Sequence, residues 1–156
     1  MMRKDKNMRF LFSGLLFVSL LLACTTDVTI SMDSGSPPTF KFRRNFSEVN
    51  TLPFFDVIQV APENQNLPYQ DQQFEKNVTV WRIVPEKVDT PIDKLPSITY
   101  GRVPVGFIQK TPENGSPPSL AEGKLYQAGG PPVMIRRAII RFVIRDGKAV
   151  QIPIPE

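Results

Sequence analysis

Residues 138–154, AIIRFVIRDGKAVQIPI, decide the fold, because they predict a β-hairpin without help from the rest of the chain. Two runs rich in apolar and β-branched residues, 138–144 and 148–154, flank the dipeptide Asp146-Gly147. Runs of this length and composition are typical of strands, and Asp-Gly between two such runs indicates a tight hairpin turn. We therefore expect this stretch to fold as two antiparallel strands.

Two loop lengths are compatible with this hairpin, and they give different strand registers. A two-residue turn would pair Phe142 with Gln151, which mixes apolar and polar residues on both faces. A three-residue loop would pair Phe142 with Val150 and Arg141 with Gln151, which leaves one face apolar. Because register follows the hydrophobic pattern, we predict the three-residue loop, with Gly147 in the left-handed conformation of a G1 bulge.

Four arginines, Arg136, Arg137, Arg141 and Arg145, form a basic run in and before the hairpin. On a strand, Arg137, Arg141 and Arg145 would share one face, from which they could contact anionic headgroups or lipopolysaccharide phosphate. The alternative is a solvated outer face whose charges discourage edge-to-edge pairing of strands. We favour the solvated face, since arginine is common on the wet side of a sheet that is buried on its other side.

The rest of the chain repeats the strand pattern in short runs. They lie at 28–32, 40–43, 54–60, 78–84, 98–108 and 120–127. The polar residues 64–76 between two of these runs are predicted to form a long loop. No segment has a sustained helical period, and sixteen prolines break any long helix. These features predict one all-β domain over residues 28–156, a small antiparallel β-sandwich of about seven strands.

The lone Trp81 lies in one of the strongest of these strands, and we predict that it belongs to the core. The alternative is a carbohydrate- or peptide-binding surface that Trp81 would share with Tyr69, Tyr100, Tyr126 and Phe107. The strand count and the central tryptophan resemble an immunoglobulin or fibronectin III sandwich. Because the cysteine pair of that family is missing, the resemblance concerns architecture only.

The first 23 residues have the pattern of a secretory signal helix. A positive head with Arg3, Lys4, Lys6 and Arg9 precedes an apolar run of fourteen residues, 10–23. These fourteen residues would form a helix about 21 Å long, whereas a helix that crosses the bilayer core needs about 20 residues. The short run favours a cleaved signal over an uncleaved membrane anchor, which is the alternative.

The sequence Leu21-Leu22-Ala23-Cys24 at the end of this run resembles the lipobox of a bacterial lipoprotein precursor. The resemblance implies that the Cys24 sulfur receives a diacylglycerol, that a peptidase cuts between Ala23 and Cys24, and that the new amino group is acylated. Residues 24–27 would then be a lipidated N-terminus and short tether. The second residue of the mature chain is Thr25 and not Asp. In a Gram-negative cell this would favour sorting of the lipoprotein to the outer membrane.

Charge and composition exclude several classes of function. Four basic residues and one acidic residue lie in the signal, so the mature chain keeps 15 basic and 14 acidic residues. This balance argues against a nucleic-acid partner, which requires a concentrated basic surface. The chain has no histidine and one cysteine, which excludes histidine-dependent triads, internal disulfides and the usual zinc and iron–sulfur sites. We expect no cofactor and no metal.

We therefore expect a lipid-anchored envelope protein whose domain binds or scaffolds envelope proteins or glycans and is not an enzyme. The alternative is a hydrolase that uses carboxylates such as Asp33, Asp56 or Glu122. Asp33-Ser34-Gly35 matches the tripeptide of aspartic proteases, but the chain has no second copy of it. We predict a turn there, because Asp, Ser and Gly are typical turn residues.

Overall fold

A computed structural model describes residues 28–44, 51–87, 94–130 and 139–156. Nine strands lie in these ranges, at Val28–Asp33 (β1), Thr39–Arg44 (β2), Phe55–Gln59 (β3), Val78–Pro85 (β4), Ile98–Thr99 (β5), Phe107–Thr111 (β6), Leu125–Gly129 (β7), Ile139–Arg145 (β8) and Lys148–Ile152 (β9). The predicted signal, the tether and Cys24 lie outside the described residues.

The strands form two antiparallel sheets, which confirms the all-β prediction. The smaller sheet has the order β1-β2-β5, and the larger sheet has the order β6-β4-β3-β7-β8-β9. The described residues contain no α-helix, and short 3-10 turns lie at Pro62–Asn64, Tyr69–Asp71 and Phe74–Lys76. In these residues no helix is long and apolar enough to span a membrane. The predicted run 98–108 splits into β5 and the start of β6, which belong to different sheets.

The hydrophobic core lies between facing sides of the two sheets. The ring of Phe40 in β2 lies 5.2 Å from the ring of Phe55 in β3 and 5.8 Å from that of Phe142 in β8. Trp81 in β4 has 0% of its surface exposed, and its indole N–H donates to Gln109 Oε1 at 3.0 Å. Large aromatic side chains therefore fill this core, and the prediction that Trp81 belongs to it is confirmed.

The hairpin at the end of the chain has the register that we did not predict. Phe142 pairs with Gln151, and a two-residue turn at Asp146 and Gly147 joins the strands. Both turn residues are left-handed, with φ of 51° and 70°, as a type I′ turn requires. The predicted three-residue loop is wrong. The prediction assumed that only one face of β8 is buried, and therefore chose the register that makes one face apolar. Both faces of β8 are buried, so the two-residue register, which mixes apolar and polar residues on each face, is also compatible with the fold. Arg141 on that second face is only 1% exposed.

The cover of that second face is the segment 61–77, which we call the strap. The buried Asn64 holds the strap together: its Nδ2 donates to Gln73 O and to Asn77 Oδ1, both at 2.8 Å, and its Oδ1 accepts from Gln73 N at 3.0 Å. Asn77 Oδ1 also accepts from Ala61 N at 2.9 Å, which joins the two ends of the strap. Most of the predicted long loop is thus a folded layer over the outer face of the larger sheet.

Candidate functional site

A cleft of about 270 Å³ opens between the strap and the outer face of strands β3, β4, β7 and β8; we call it the outer cleft. Side-chain alternation places it, because Phe55 and Val57 point to the core and their neighbours in β3 point outward. Aromatic and polar side chains both line it. They include Phe54, Tyr69, Phe74, Asp56, Arg82 and Gln127.

An ion pair between neighbouring strands forms the polar part of the floor. Asp56 of β3 lies opposite Arg82 of β4. The guanidinium donates from Nε to Oδ1 at 2.7 Å and from Nη2 to Oδ2 at 2.6 Å, a bidentate geometry. The Asp56 side chain is 6% exposed and that of Arg82 is 40% exposed. The guanidinium carbon also lies 4.6 Å from the centre of the Phe54 ring, which fixes the plane of the pair.

The environment shifts the proton affinity of both members of this pair. Burial raises the pKa of Asp56 above its ordinary value of 3.8, and the hydrogen bonds and charge of Arg82 lower it by a smaller amount. The hydrogen bond to Asp56 raises the pKa of Arg82. Because both carboxyl oxygens accept N–H groups, the described geometry is that of the ionised pair.

A second arginine, Arg141 of β8, is enclosed between the sheet and the strap. Its Nε donates to Gln127 Oε1 at 3.0 Å, its Nη1 to Gln65 O at 2.9 Å, and its Nη2 to Leu67 O at 3.2 Å and Asn64 O at 3.4 Å. Burial lowers the pKa of Arg141. Since three of these acceptors belong to the strap, Arg141 joins the roof of the outer cleft to its floor.

The predicted basic surface is not formed as expected. Arg141 is buried, so its predicted place on a solvated face is wrong: the strap covers that face and supplies carbonyl acceptors. Arg145 is exposed at the end of β8. Arg137, like the predicted cleavage and lipidation residues Ala23 and Cys24, lies outside the described residues.

The three carboxylates of the hydrolase alternative do not meet in one cleft. Asp33 pairs with Lys41 at 2.8 Å on an exposed surface. Asp56 lies in the outer cleft, bonded to Arg82. Glu122 accepts from the backbone N–H of Asp146 at 2.8 Å and so supports the β8–β9 turn. As predicted, the tripeptide that begins at Asp33 leads into the connection between β1 and β2.

A second cleft of about 460 Å³, which we call the distal groove, lies among turns at one end of the sheets. Its lining includes the β1–β2 connection, Tyr100, Pro117, Pro118 and Ile144. The Tyr100 hydroxyl donates to Pro118 O at 2.7 Å, and burial raises the pKa of this phenol. The groove is therefore mainly apolar and rich in proline.

The predicted aromatic surface is divided between different places. Tyr69 lines the outer cleft and Tyr100 lines the distal groove. Tyr126 is buried and stacks on Phe142 with ring centroids 5.5 Å apart, and Phe107 is also buried. No single surface collects these rings, because they come from the larger sheet, from the turn after β5 and from the strap.

Comparison of the chain with models of protein families, with curated proteins and with solved structures found no match. Among the described residues, no group of three or more histidine, cysteine, aspartate or glutamate side chains is placed to hold a metal ion. The outer cleft is therefore interpreted from its own chemistry.

Sequence reasoning missed the partner of Asp56 and the roles of Phe54 and Gln127. One signal was present: Asp56 and Arg82 are single charges of opposite sign within two otherwise largely apolar strand runs. A charge in such a run must find a partner when both faces of the sheet are covered. The sequence does not show that the two strands are neighbours in this register.

Proposed function

We propose that this protein is a membrane-anchored lipoprotein of a bacterial cell envelope, whose domain binds a ligand without catalysing a reaction. The lipobox supports the anchor, with cleavage after Ala23 and lipid on Cys24. The outer membrane is the proposed location in a Gram-negative cell. Two or three acyl chains would hold such a domain stably at a bilayer.

The proposal includes a β-sandwich architecture of the immunoglobulin-like kind. The core shared by Phe40 of the smaller sheet with Phe55 and Phe142 of the larger sheet supports a sandwich. The larger sheet has six strands, whereas the sheets of an immunoglobulin constant domain have three and four. The likeness therefore extends to layer arrangement and not to strand count.

The observation that carries the binding proposal is the preformed outer cleft. Clefts that combine apolar walls with a few converging polar groups are the usual form of a ligand site. Here Arg141 and the hydrogen bonds of Asn64 fix the strap, while the Asp56–Arg82 pair fixes the floor. A cleft fixed in this way loses little conformational entropy when a ligand enters.

The state of Asp56 supports binding over hydrolysis. Each of its carboxyl oxygens accepts a short hydrogen bond from Arg82, which opposes proton transfer to a substrate. Carboxylate hydrolases place two carboxyl groups within about 10 Å across one bond of the substrate. Neither Asp33 nor Glu122 shares the outer cleft with Asp56.

The anchor is tested by replacing the single thiol in the full chain, Cys24→Ser. We expect wild-type protein to incorporate labelled fatty acid and to stay with membranes after a carbonate wash, and the variant to do neither. A variant that remains membrane-bound after the wash would contradict the lipid anchor.

The binding site is tested by filling the outer cleft in the full chain with Thr79→Trp. The matched control is Thr29→Trp, which places the same side chain on a strand of the other sheet and lines neither cleft. Ligand-detected NMR would use two probe mixtures, a muramidase digest of peptidoglycan and a tryptic digest of envelope proteins. We expect one mixture to give a signal that Thr79→Trp loses and Thr29→Trp keeps. If both variants behave like wild type, the cleft is not the binding site.

A further inference from the structure

We infer that the ligand of the outer cleft is one pyranose ring of a neutral sugar, an inference that rests on the binding function proposed above. Three properties of the cleft lead to this class: its volume, its exposed aromatic rings, and its balanced set of hydrogen-bonding groups. Each property independently excludes some chemical classes of ligand.

The volume limits the ligand to one ring or one side chain. At about 270 Å³ the outer cleft is smaller than sites for drug-sized molecules, which occupy about 300–1,000 Å³. The roof cannot lift without losing contacts, because the strap is bonded to Arg141 through Gln65 and Leu67. A longer ligand would therefore place one ring in the cleft and extend from its mouth.

The strap brings two aromatic rings to this cleft. Tyr69 and Phe74 lie with ring centroids 4.8 Å apart and their planes tilted by 54°. Phe74 is 41% exposed, so part of its ring is open to a ligand. An exposed ring at the wall of a cleft can cover the apolar C–H face of a ligand. A pyranose has such a face and carries its hydroxyl groups around the rim.

The polar side chains that line the cleft offer donors and an acceptor, and the charges of Arg82 and Asp56 balance each other. Arg82 bonds Asp56 through Nε and Nη2, and within the described residues its Nη1 has no acceptor. Gln127 accepts from Arg141 through Oε1, and its Nε2 has no acceptor in the same part of the chain. Each Asp56 oxygen keeps a lone pair beyond the one that Arg82 uses.

This set favours a neutral ligand that both donates and accepts. An anionic ligand would be attracted to Arg82 and a cationic ligand to Asp56, but these two charges already neutralise each other. A hydroxyl group donates one hydrogen bond and accepts others, so neighbouring sugar hydroxyls can use Arg82, Gln127 and Asp56 together. The low local dielectric of a half-enclosed cleft strengthens each of these bonds.

The position of the cleft disfavours a peptide backbone as ligand. An extended peptide commonly binds by adding a strand to a free sheet edge. The floor of the outer cleft consists of central strands: β3 is paired with β4 and β7, and β7 is paired with β3 and β8. No backbone group of these strands is left at an edge for a peptide to pair with.

The test titrates the full-length protein, in a detergent whose headgroup is not a sugar, with glucose, N-acetylglucosamine and glucuronate by ligand-detected NMR and calorimetry. The diagnostic variant is Phe74→Ala, because a side chain that is 41% exposed can be removed with little effect on folding. Ile108→Ala is the matched control, since Ile108 is 45% exposed on β6 and lies outside the cleft.

We expect at least one neutral sugar to bind wild type and the control equally and to bind Phe74→Ala about fivefold more weakly, through the lost ring contact. Glucuronate binding tenfold more tightly than glucose would overturn the inference of a neutral ligand. Binding of the peptide digest with no sugar binding would overturn the sugar inference and leave the proposed binding function intact. If neither probe class binds, both proposals fail.

Discussion

Arg141 is the single residue on which the outer face of the larger sheet depends most. A buried guanidinium is costly unless its N–H groups are hydrogen-bonded, and here Gln127 and the backbone of the strap accept them. The same bonds order the strap, because backbone carbonyls at Gln65 and Leu67 have a fixed position from which to accept.

We predict that Arg141→Met lowers the free energy of unfolding by about 3 kcal/mol, since buried acceptors lose their donor. Arg141→Lys keeps the charge but loses the planar geometry, so we expect a smaller loss of about 2 kcal/mol. Urea denaturation of the full chain measures both. The control Arg145→Met changes an exposed side chain, and its effect should stay within about 0.5 kcal/mol. Equal effects at positions 141 and 145 would contradict the structural role of Arg141.

Asp56 predicts a pH dependence opposite to that of an ordinary surface ion pair. Burial raises the pKa of Asp56 in the folded state above its ordinary value of 3.8. At a pH between the ordinary pKa and the raised pKa, the folded state therefore binds more protons than the unfolded state. The contribution of Asp56 to the free energy of unfolding therefore increases as the pH falls through this window and decreases as it rises.

The measurement is the free energy of unfolding of wild type and Asp56→Asn from neutral pH down to about pH 4, near the ordinary aspartate value. We expect wild type to gain stability relative to Asp56→Asn as the pH falls. Asp33→Asn, which removes a carboxylate from an exposed ion pair, is the control for the loss of one acidic side chain. A relative loss of stability in wild type on acidification would mean that the attraction of Arg82 outweighs the effect of burial.

At the scale of one element, the β8–β9 hairpin shows that turn chemistry and face burial act separately. Asp146 and Gly147 both have positive φ, which the Asp-Gly dipeptide accepts at low cost. Glu122 adds hydrogen bonds to the two turn N–H groups, at 2.8 Å and 3.3 Å. The turn therefore stabilises the two-residue register whatever the pattern of side chains along the strands.

We predict that Gly147→Ala lowers the free energy of unfolding by about 1–2 kcal/mol, because a Cβ in the left-handed region is strained. Asp146→Asn should change it by less than about 0.5 kcal/mol, since asparagine tolerates the same conformation. Thermal and urea denaturation measure both. If Gly147→Ala were as stable as Asp146→Asn, Gly147 would not have the left-handed conformation in solution.

At the scale of the whole molecule, strand pairing establishes which end of the smaller sheet lies at the distal groove. Asp33 at the end of β1 pairs with Thr39 at the start of β2, and residues 35–38 of the connection between them line the distal groove. Val28 pairs with Arg44 at the other end of the same two strands. Val28 therefore lies at the end of the smaller sheet that is away from the distal groove.

If Cys24 carries the proposed lipid, the position of β1 predicts the orientation of the domain on a membrane. Residues 24–27 can span at most about 14 Å, and β1 is about 20 Å long. In lipid vesicles we expect a fluorophore on Arg43→Cys to be quenched by headgroup nitroxides more strongly than one on Lys148→Cys near the distal groove. Both side chains are exposed, so both accept the label. Equal or reversed quenching would contradict this orientation.

The sequence by itself located the strands of the first half of the chain and of the final hairpin. Alternation and β-branched runs predicted β1, β2, β3 and β4 within two residues of their observed ends, because side-chain period is a local property of extended backbone. The predicted run 120–127 is observed as a turn at Glu122 and Gly123 followed by β7, which begins at Leu125. The core position of Trp81 followed from the same local pattern.

Only the tertiary structure decided which faces are covered. Nothing near Arg141 in the sequence shows that residues 64–67 supply its acceptors, about 75 positions earlier in the chain. The pairing of Asp56 with Arg82 depends in the same way on β3 and β4 lying side by side in one register. The local sequence pattern shows whether a side chain is polar or apolar, but the long-range fold decides whether that side chain is exposed to water. The outer cleft exists because the strap covers the outer face of the larger sheet and shields part of it from water.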